Sequence, residues 1–138
     1  MSKRVTSIRI SPDLKQELEQ RARDAGVPAA ALYERFIAEG LRHDAHPLIV
    51  FRDGAGGRRA VIAGTRIAVA QVVDTVLASD DHSVPEAAQY LDLPESYVSE
   101  CARYYAAYRD EIDDWRNRLA EISEREREAW QREQRVFG

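Results

Sequence analysis

Hydrophobic and polar positions alternate at the start of the chain. Thr6, Ile8 and Ile10 fall on one side, and Lys3, Val5, Ser7 and Arg9 on the other. A period of two predicts a half-buried strand over residues 3–10. Ser11-Pro12-Asp13 then carries the marks of a helix start: a hydroxyl N-cap, a proline at the first helical position and an early acid. Leu14, Leu18, Ala22 and Ala25 share one face of that helix, and Gly26 ends it. Val27-Pro28 opens a second helix with an apolar stripe of Leu32, Phe36, Ile37, Gly40 and Leu41.

The pattern changes after His43. Residues 44–47 read as a hinge, because Pro47 stops a helix continuing through it. His43 and His46 have a metal-ligand spacing but no cysteine or further histidine near them in sequence, so no metal site is assigned. Leu48–Arg52 and Arg58–Ile62 are two β runs, and Asp53–Gly57 between them makes a hairpin. Those glycines lack a following helix and a phosphate-binding lysine, so a hairpin tip fits them better than a phosphate loop. A helix is predicted from about Ala70 to Ala78, with Val72, Val73, Val76 and Leu77 on its apolar side. Ser79–His82 is a loop. Ser83-Val84-Pro85-Glu86 reads as a capping box that starts a short helix to Leu91. Asp92-Leu93-Pro94 turns the chain into a longer helix from about Glu95.

The last stretch, residues 108–138, is a single helical pattern. Tyr108, Ile112, Trp115, Leu119 and Ile122 step by 4, 3, 4 and 3, a heptad seam that fades at Glu126. Two uses fit such a seam: packing on its own domain or in a coiled coil, or lying in a groove on another protein.

Composition narrows the class. The chain has 138 residues, enough for one domain or two small ones. Its apolar runs are too short to cross a membrane, and the N-terminal MSKRVTS lacks the apolar core of a signal peptide. The single cysteine cannot form an internal disulfide. These features lead us to expect a cytoplasmic protein. The net charge of −4 is unevenly placed. Residues 48–68 carry four arginines against one aspartate, whereas residues 69–107 carry seven acids against one arginine. A basic front and an acidic back point to two different partners. Cys101 has no histidine partner evident in sequence and reads as a small buried hydrophobe. With no nucleophile–base pair, metal spacing or phosphate loop, no catalytic residue and no cofactor is expected.

The strand, cap, helix, glycine, helix order over residues 1–43 resembles the ribbon-helix-helix module of the Arc/MetJ/CopG type. A lone strand leaves its ladder groups unpaired, and so short a segment buries little core. Both deficits vanish when two chains pair strand to strand. The second resemblance covers roughly Pro47 to Trp115. Gly64, Thr65, Arg66, Ile67 and Val69, followed by Tyr104 and Tyr105, are similar to a small bacterial domain family found in antitoxins. Two short helices beside a hairpin also give this part a helix-turn-helix or winged-helix-like character.

The expected fold is therefore mainly α with short β: a ribbon-helix-helix domain (1–43), a hinge (44–47), a winged-helix-like antitoxin domain (48–107) and a C-terminal amphipathic helix (108–138). The resemblances imply the antitoxin of a type II toxin–antitoxin pair. Such a protein binds its toxin, here a PIN-like ribonuclease, and represses its own operon. They also imply a homodimer joined through the N-terminal strand and bound to operator DNA. Val5, Ser7 and Arg9 would meet bases, Lys3 and Arg4 phosphates, and the second helix would offer its first N–H groups at Ala29 and Ala30. Pro28-Ala29-Ala30 departs from the hydroxyl cap usual there. The helix at Glu95–Arg103 carries two acids and one arginine and is a poor groove reader. Tyr108, Ile112, Trp115, Leu119 and Ile122 are the candidate toxin-binding seam. The competing expectations are a dimerising ribbon without DNA, a plain transcriptional regulator of this type with an effector pocket but no toxin, and an enzyme.

Overall fold

In a computed structural model, which describes residues 3–138, the chain is mainly helical with one small antiparallel sheet. It divides into two compact units, one ending at Leu41 and the other running from Arg42 to Gly138.

The first unit is two helices and the segment before them. Residues 3–11 form neither helix nor strand. Helix α1 spans Pro12–Ala25. Ser11 Oγ accepts from the Leu14 N–H at 3.2 Å, the hydroxyl cap expected there. Gly26 closes the helix at φ 68°, where a Cβ would be strained. Helix α2 spans Ala29–Ala45, so its last turn lies beyond the first unit. Among the described residues of this unit only Leu18, Ala22 and Leu32 are buried, with Ala29 and Tyr33 against them.

The second unit holds the larger core. Strands β1 (Ile49–Gly54) and β2 (Gly57–Ile62) pair with Ile49 opposite Ile62 and Gly54 opposite Gly57. The loop between them is therefore Ala55-Gly56 alone, tighter than the five-residue turn expected. It needs positive φ at Gly56 (87°), and Gly57 beside it sits at 121°. Thr65 organises the next turn: its hydroxyl donates to the Ile62 carbonyl at 2.9 Å and accepts from the Ile67 N–H at 3.0 Å. Ala68 then bridges to Val61.

Helix α3 (Val69–Ala78) follows, then a single 3-10 turn (Asp80–His82), α4 (Val84–Leu91), α5 (Glu95–Ala107) and α6 (Arg109–Phe137). The expected capping box is half present. Ser83 Oγ accepts from the Glu86 N–H at 3.1 Å, but the Ser83 N–H is held by Ser79 Oγ at 2.7 Å. The preceding serine performs the task expected of Glu86. Helices α3, α4 and α5 pack on one another, and β2 and α6 both lie against α3. Ile49, Ile62, Val69, Val72, Val98, Cys101, Tyr104 and Ile112 fill the space between them.

Residues 44–47, read from sequence as a hinge, include the last helical residues and a buried histidine. His46 is 6% exposed, with its Nδ1 2.8 Å from Glu100 Oε1. Its ring meets Tyr104 edge-on at 5.1 Å. No helix is long and apolar enough to cross a membrane among the described residues.

Candidate functional site

The expected DNA-facing residues lie in the segment before α1 and at the start of α2. Lys3, Arg4, Val5, Ser7 and Arg9 are all exposed, Val5 fully so. Lys3 Nζ pairs with Glu34 Oε2 at 2.8 Å. Both side chains are well solvated, so this pair is readily exchanged for a phosphate. Ala29 is half-buried and Ala30 exposed in the first turn of α2, where N–H groups lack intrahelical acceptors and no acid competes for an anion.

The apolar faces predicted for the first unit are mostly open. Of the α2 stripe only Leu32 is buried; Phe36, Ile37 and Leu41 are exposed. Leu14 on α1 is also exposed, and Ile8 is 65% exposed. One small unit thus presents apolar positions from three segments to solvent, the kind of surface that marks an interaction site.

The candidate toxin-binding seam on the long helix is turned inward instead. Ile112 and Trp115 are buried, at 1% and 6% exposure, and Tyr108 and Leu119 pack against the same core. Trp115 lies over the hairpin tip. A Cβ on Gly56 would meet the Trp115 ring at 3.5 Å and Ile122 Cδ1 at 3.2 Å. The Arg118 guanidinium stacks over the indole, 4.9 Å from the ring centre. The heptad spacing is real, but a glycine-tipped hairpin from the same unit supplies the groove. An aromatic seam long enough to cover a small core is used first by that core. Beyond Ile122 the helix runs on with every large side chain in solvent, including Trp130 (59% exposed), Val136 (75%) and Phe137 (90%).

Polar side chains tie α6 to the rest of the second unit. Tyr104 donates to Glu111 and Tyr105 to Asp113, each at 2.7 Å. Burial, with the Glu111 carboxylate beside it, raises the Tyr104 hydroxyl far above its usual range. Arg116 reaches Asp74 on α3 at 2.6 Å and Asp113 at 2.9 Å. The hydrogen bonds from Tyr105 and from Arg116 hold Asp113 below the ordinary carboxylate range. The Tyr104-Tyr105 pair is thus a clamp on the α5–α6 corner, where Tyr108 (φ −130°) breaks the helix. The partners Glu111, Asp113 and Asp74 were not singled out by sequence. The tyrosine–carboxylate spacing offered a signal only once the corner at Tyr108 was known.

Cys101 is fully buried, and its thiol is pushed up to about 12, first by burial and then by the Glu100 charge. A thiol held protonated in this way is not a nucleophile. A groove of about 440 Å³ opens between α3 and α4, lined by Asp74, Thr75, Ala78, Ser79, Glu86 and Tyr90. No family model, curated protein or solved structure matches the chain.

Glu100 gives a test of the His46 corner. Burial works against its charge, yet hydrogen bonds from Arg103 and His46 outweigh it and place the carboxyl below its ordinary range. A lowered folded-state pKa contributes stability above the unfolded carboxylate range, and that contribution is lost as pH falls through the folded value. Glu100→Gln should therefore melt below the parent at about pH 6, with the gap closing toward about pH 3. A gap that stays constant across that range would show that the charge at Glu100 plays no part.

Proposed function

We propose that this chain is the antitoxin of a type II toxin–antitoxin pair. In this reading it acts as a dimer, with the N-terminal segments of two copies paired as a ribbon over the exposed faces of α1 and α2. Val5, Ser7 and Arg9 face the major groove of operator DNA. Lys3, Arg4 and the first amides of α2 at Ala29 and Ala30 hold phosphates. The second unit is the winged-helix-like antitoxin domain, and the protein it restrains is a PIN-like ribonuclease.

The observation that carries the reading is the open first unit. Residues 3–10 alternate in polarity without a partner strand, beside helices whose apolar stripes lie mostly in solvent. A core of three buried residues is too small to stabilise two helices and an ordered lead-in. A second copy supplies both the missing strand and the missing apolar cover. Support for a further protein partner comes from α6 beyond Ile122, where Trp130, Val136 and Phe137 have no cover. Aromatic residues of this kind dominate interface energetics. The toxin-facing surface is accordingly assigned to this outer half of α6, and not to the seam from Tyr108 to Ile122.

Two measurements test the two halves of the proposal. Band-shift titrations on the protein's own promoter should show Arg9→Ala costing about 1–3 kcal/mol and relaxing base preference. Lys3→Ala should weaken all sequences alike and flatten the salt slope by about one. Equal binding by parent and Arg9→Ala would remove DNA from the ribbon. In a co-expression growth assay with the product of the adjacent reading frame, a chain ending at Ser123 should keep DNA binding and fail to rescue growth. Full rescue would place the toxin contact elsewhere.

A further inference from the structure

The hairpin of the second unit carries a charge arrangement that its own stability does not explain. Two cross-strand pairs lie next to the turn. Asp53 stands opposite Arg58, and their side chains meet at 3.5 Å. One position further from the tip, Arg52 stands directly opposite Arg59. Because successive residues of a strand point to opposite faces, these pairs lie on different faces of the ribbon. Ile49, Phe51, Ala60 and Ile62, on the Asp53–Arg58 face, belong to or pack on the core. The Arg52–Arg59 pair is on the other face, where Val61 is also buried; Arg52 is exposed and Arg59 half-buried.

Like charges directly opposite one another destabilise a strand pair. Nothing nearby relieves this one: among the described residues neither Arg52 nor Arg59 has an ion-pair or hydrogen-bond partner, and Arg59 Nε is buried without an acceptor. The Arg59 head lies over Gly54, where an added Cβ would come within 3.2 Å of Cζ. Arg118 reaches the same tip, stacked on Trp115 and close to Gly57. Arg52 and Arg59 thus stand as two unpaired cations on a hairpin stiffened by a two-residue turn and a tryptophan.

We infer that the tip of this hairpin, through Arg52 and Arg59, holds the phosphate backbone of a nucleic acid. Guanidinium groups offer forked donors that match phosphate oxygens, and a polyanion supplies the opposing charge that the pair lacks. A protein partner fits less well. None of the exposed large hydrophobics among the described residues lies between 48 and 68, so the face has charge without the apolar anchors on which protein interfaces depend. The surface would add a sequence-independent contact to the base contacts assigned to the ribbon. It extends the DNA half of the proposed function, but it is located in the other unit and stands or falls separately.

The test uses the full chain and a short duplex of arbitrary sequence, titrated at several salt concentrations. Arg52→Gln/Arg59→Gln should flatten the slope of log affinity against log salt by about 1.8, or 0.9 per lost phosphate. The parent should then lose roughly tenfold more affinity than the variant between about 50 and 200 mM salt. The variant should melt no lower than the parent, because a repulsive pair has been removed. Arg52→Gln alone, at an exposed position, should give about half the slope change and guards against a misfolded double variant. Arg52→Lys/Arg59→Lys should keep most of the slope. A folded double variant with unchanged slope would overturn the inference. So would unchanged DNA binding with loss of growth rescue, which would assign the arginines to the toxin. Failure of Arg9→Ala to affect promoter binding would count against the ribbon and leave this result intact.

Discussion

Trp115→Ala should lower the unfolding free energy of the second unit by about 3–5 kcal/mol, the cost of truncating a buried aromatic side chain. The size follows from where the indole sits. It is 6% exposed, it covers the glycine tip of the hairpin, and Ile122 lies against the same tip. The glycines that admit the ring cannot close the gap it would leave: Gly56 at φ 87° and Gly57 at φ 121° are held by a two-residue turn. Removing the ring also strips Arg118 of the face it stacks on. Trp130→Ala, at a 59% exposed site on the same helix, should change stability by no more than about 0.5 kcal/mol. Thermal and denaturant melts of the two variants decide the matter. Near-equal melting would mean that α6 does not pack on the hairpin and that its seam is available to a partner after all. The contrast also separates stability from neutralisation, since Trp130→Ala should weaken growth rescue while leaving the fold intact.

These two tryptophans also mark how far the sequence could be read. Local chemistry was legible wherever one residue determines one geometry. The Ser11 cap, the Gly26 stop, the hairpin and the Ser83 cap all lie where residue type and spacing put them. The break at Tyr108 also falls between the two helical patterns. Long-range pairing was less legible. A heptad seam states that a helix has an apolar side, but not whether the covering surface belongs to the same chain. Here it does, because Gly56 and Gly57 leave room for the Trp115 ring. His46 read as part of a solvated linker since its partner Glu100 is 54 residues away in sequence, and spacing carries no information over such a distance. The Arg52–Arg59 opposition depended on the register, which the shorter turn fixed. The segment 3–10 lies at the other limit: its alternation is plain, yet a strand is a property of two segments, and one chain supplies only one.

That last point makes Ile8→Asp the sharpest test of the proposed dimer. In the single chain Ile8 is 65% exposed, so an aspartate there should cost almost nothing, as surface substitutions do. In a paired ribbon the same side chain belongs with Thr6 and Ile10 on the face that closes over the open stripes of α1 and α2. An unpartnered carboxylate buried there costs several kcal/mol, and symmetry doubles the cost because both copies carry it. The two states therefore predict opposite results from one substitution. Light scattering or sedimentation should find the parent as a dimer and Ile8→Asp as a monomer or an aggregate, with promoter binding lost together with the pairing. Ser7→Asp supplies the control of register. In the proposed ribbon, where the side-chain period is two, Ser7 would point away from the helices, and its replacement should leave the dimer whole while repelling DNA phosphates. A clean Ile8→Asp dimer of unchanged stability would exclude the paired ribbon. The exposed faces of α1 and α2 would then need some other cover.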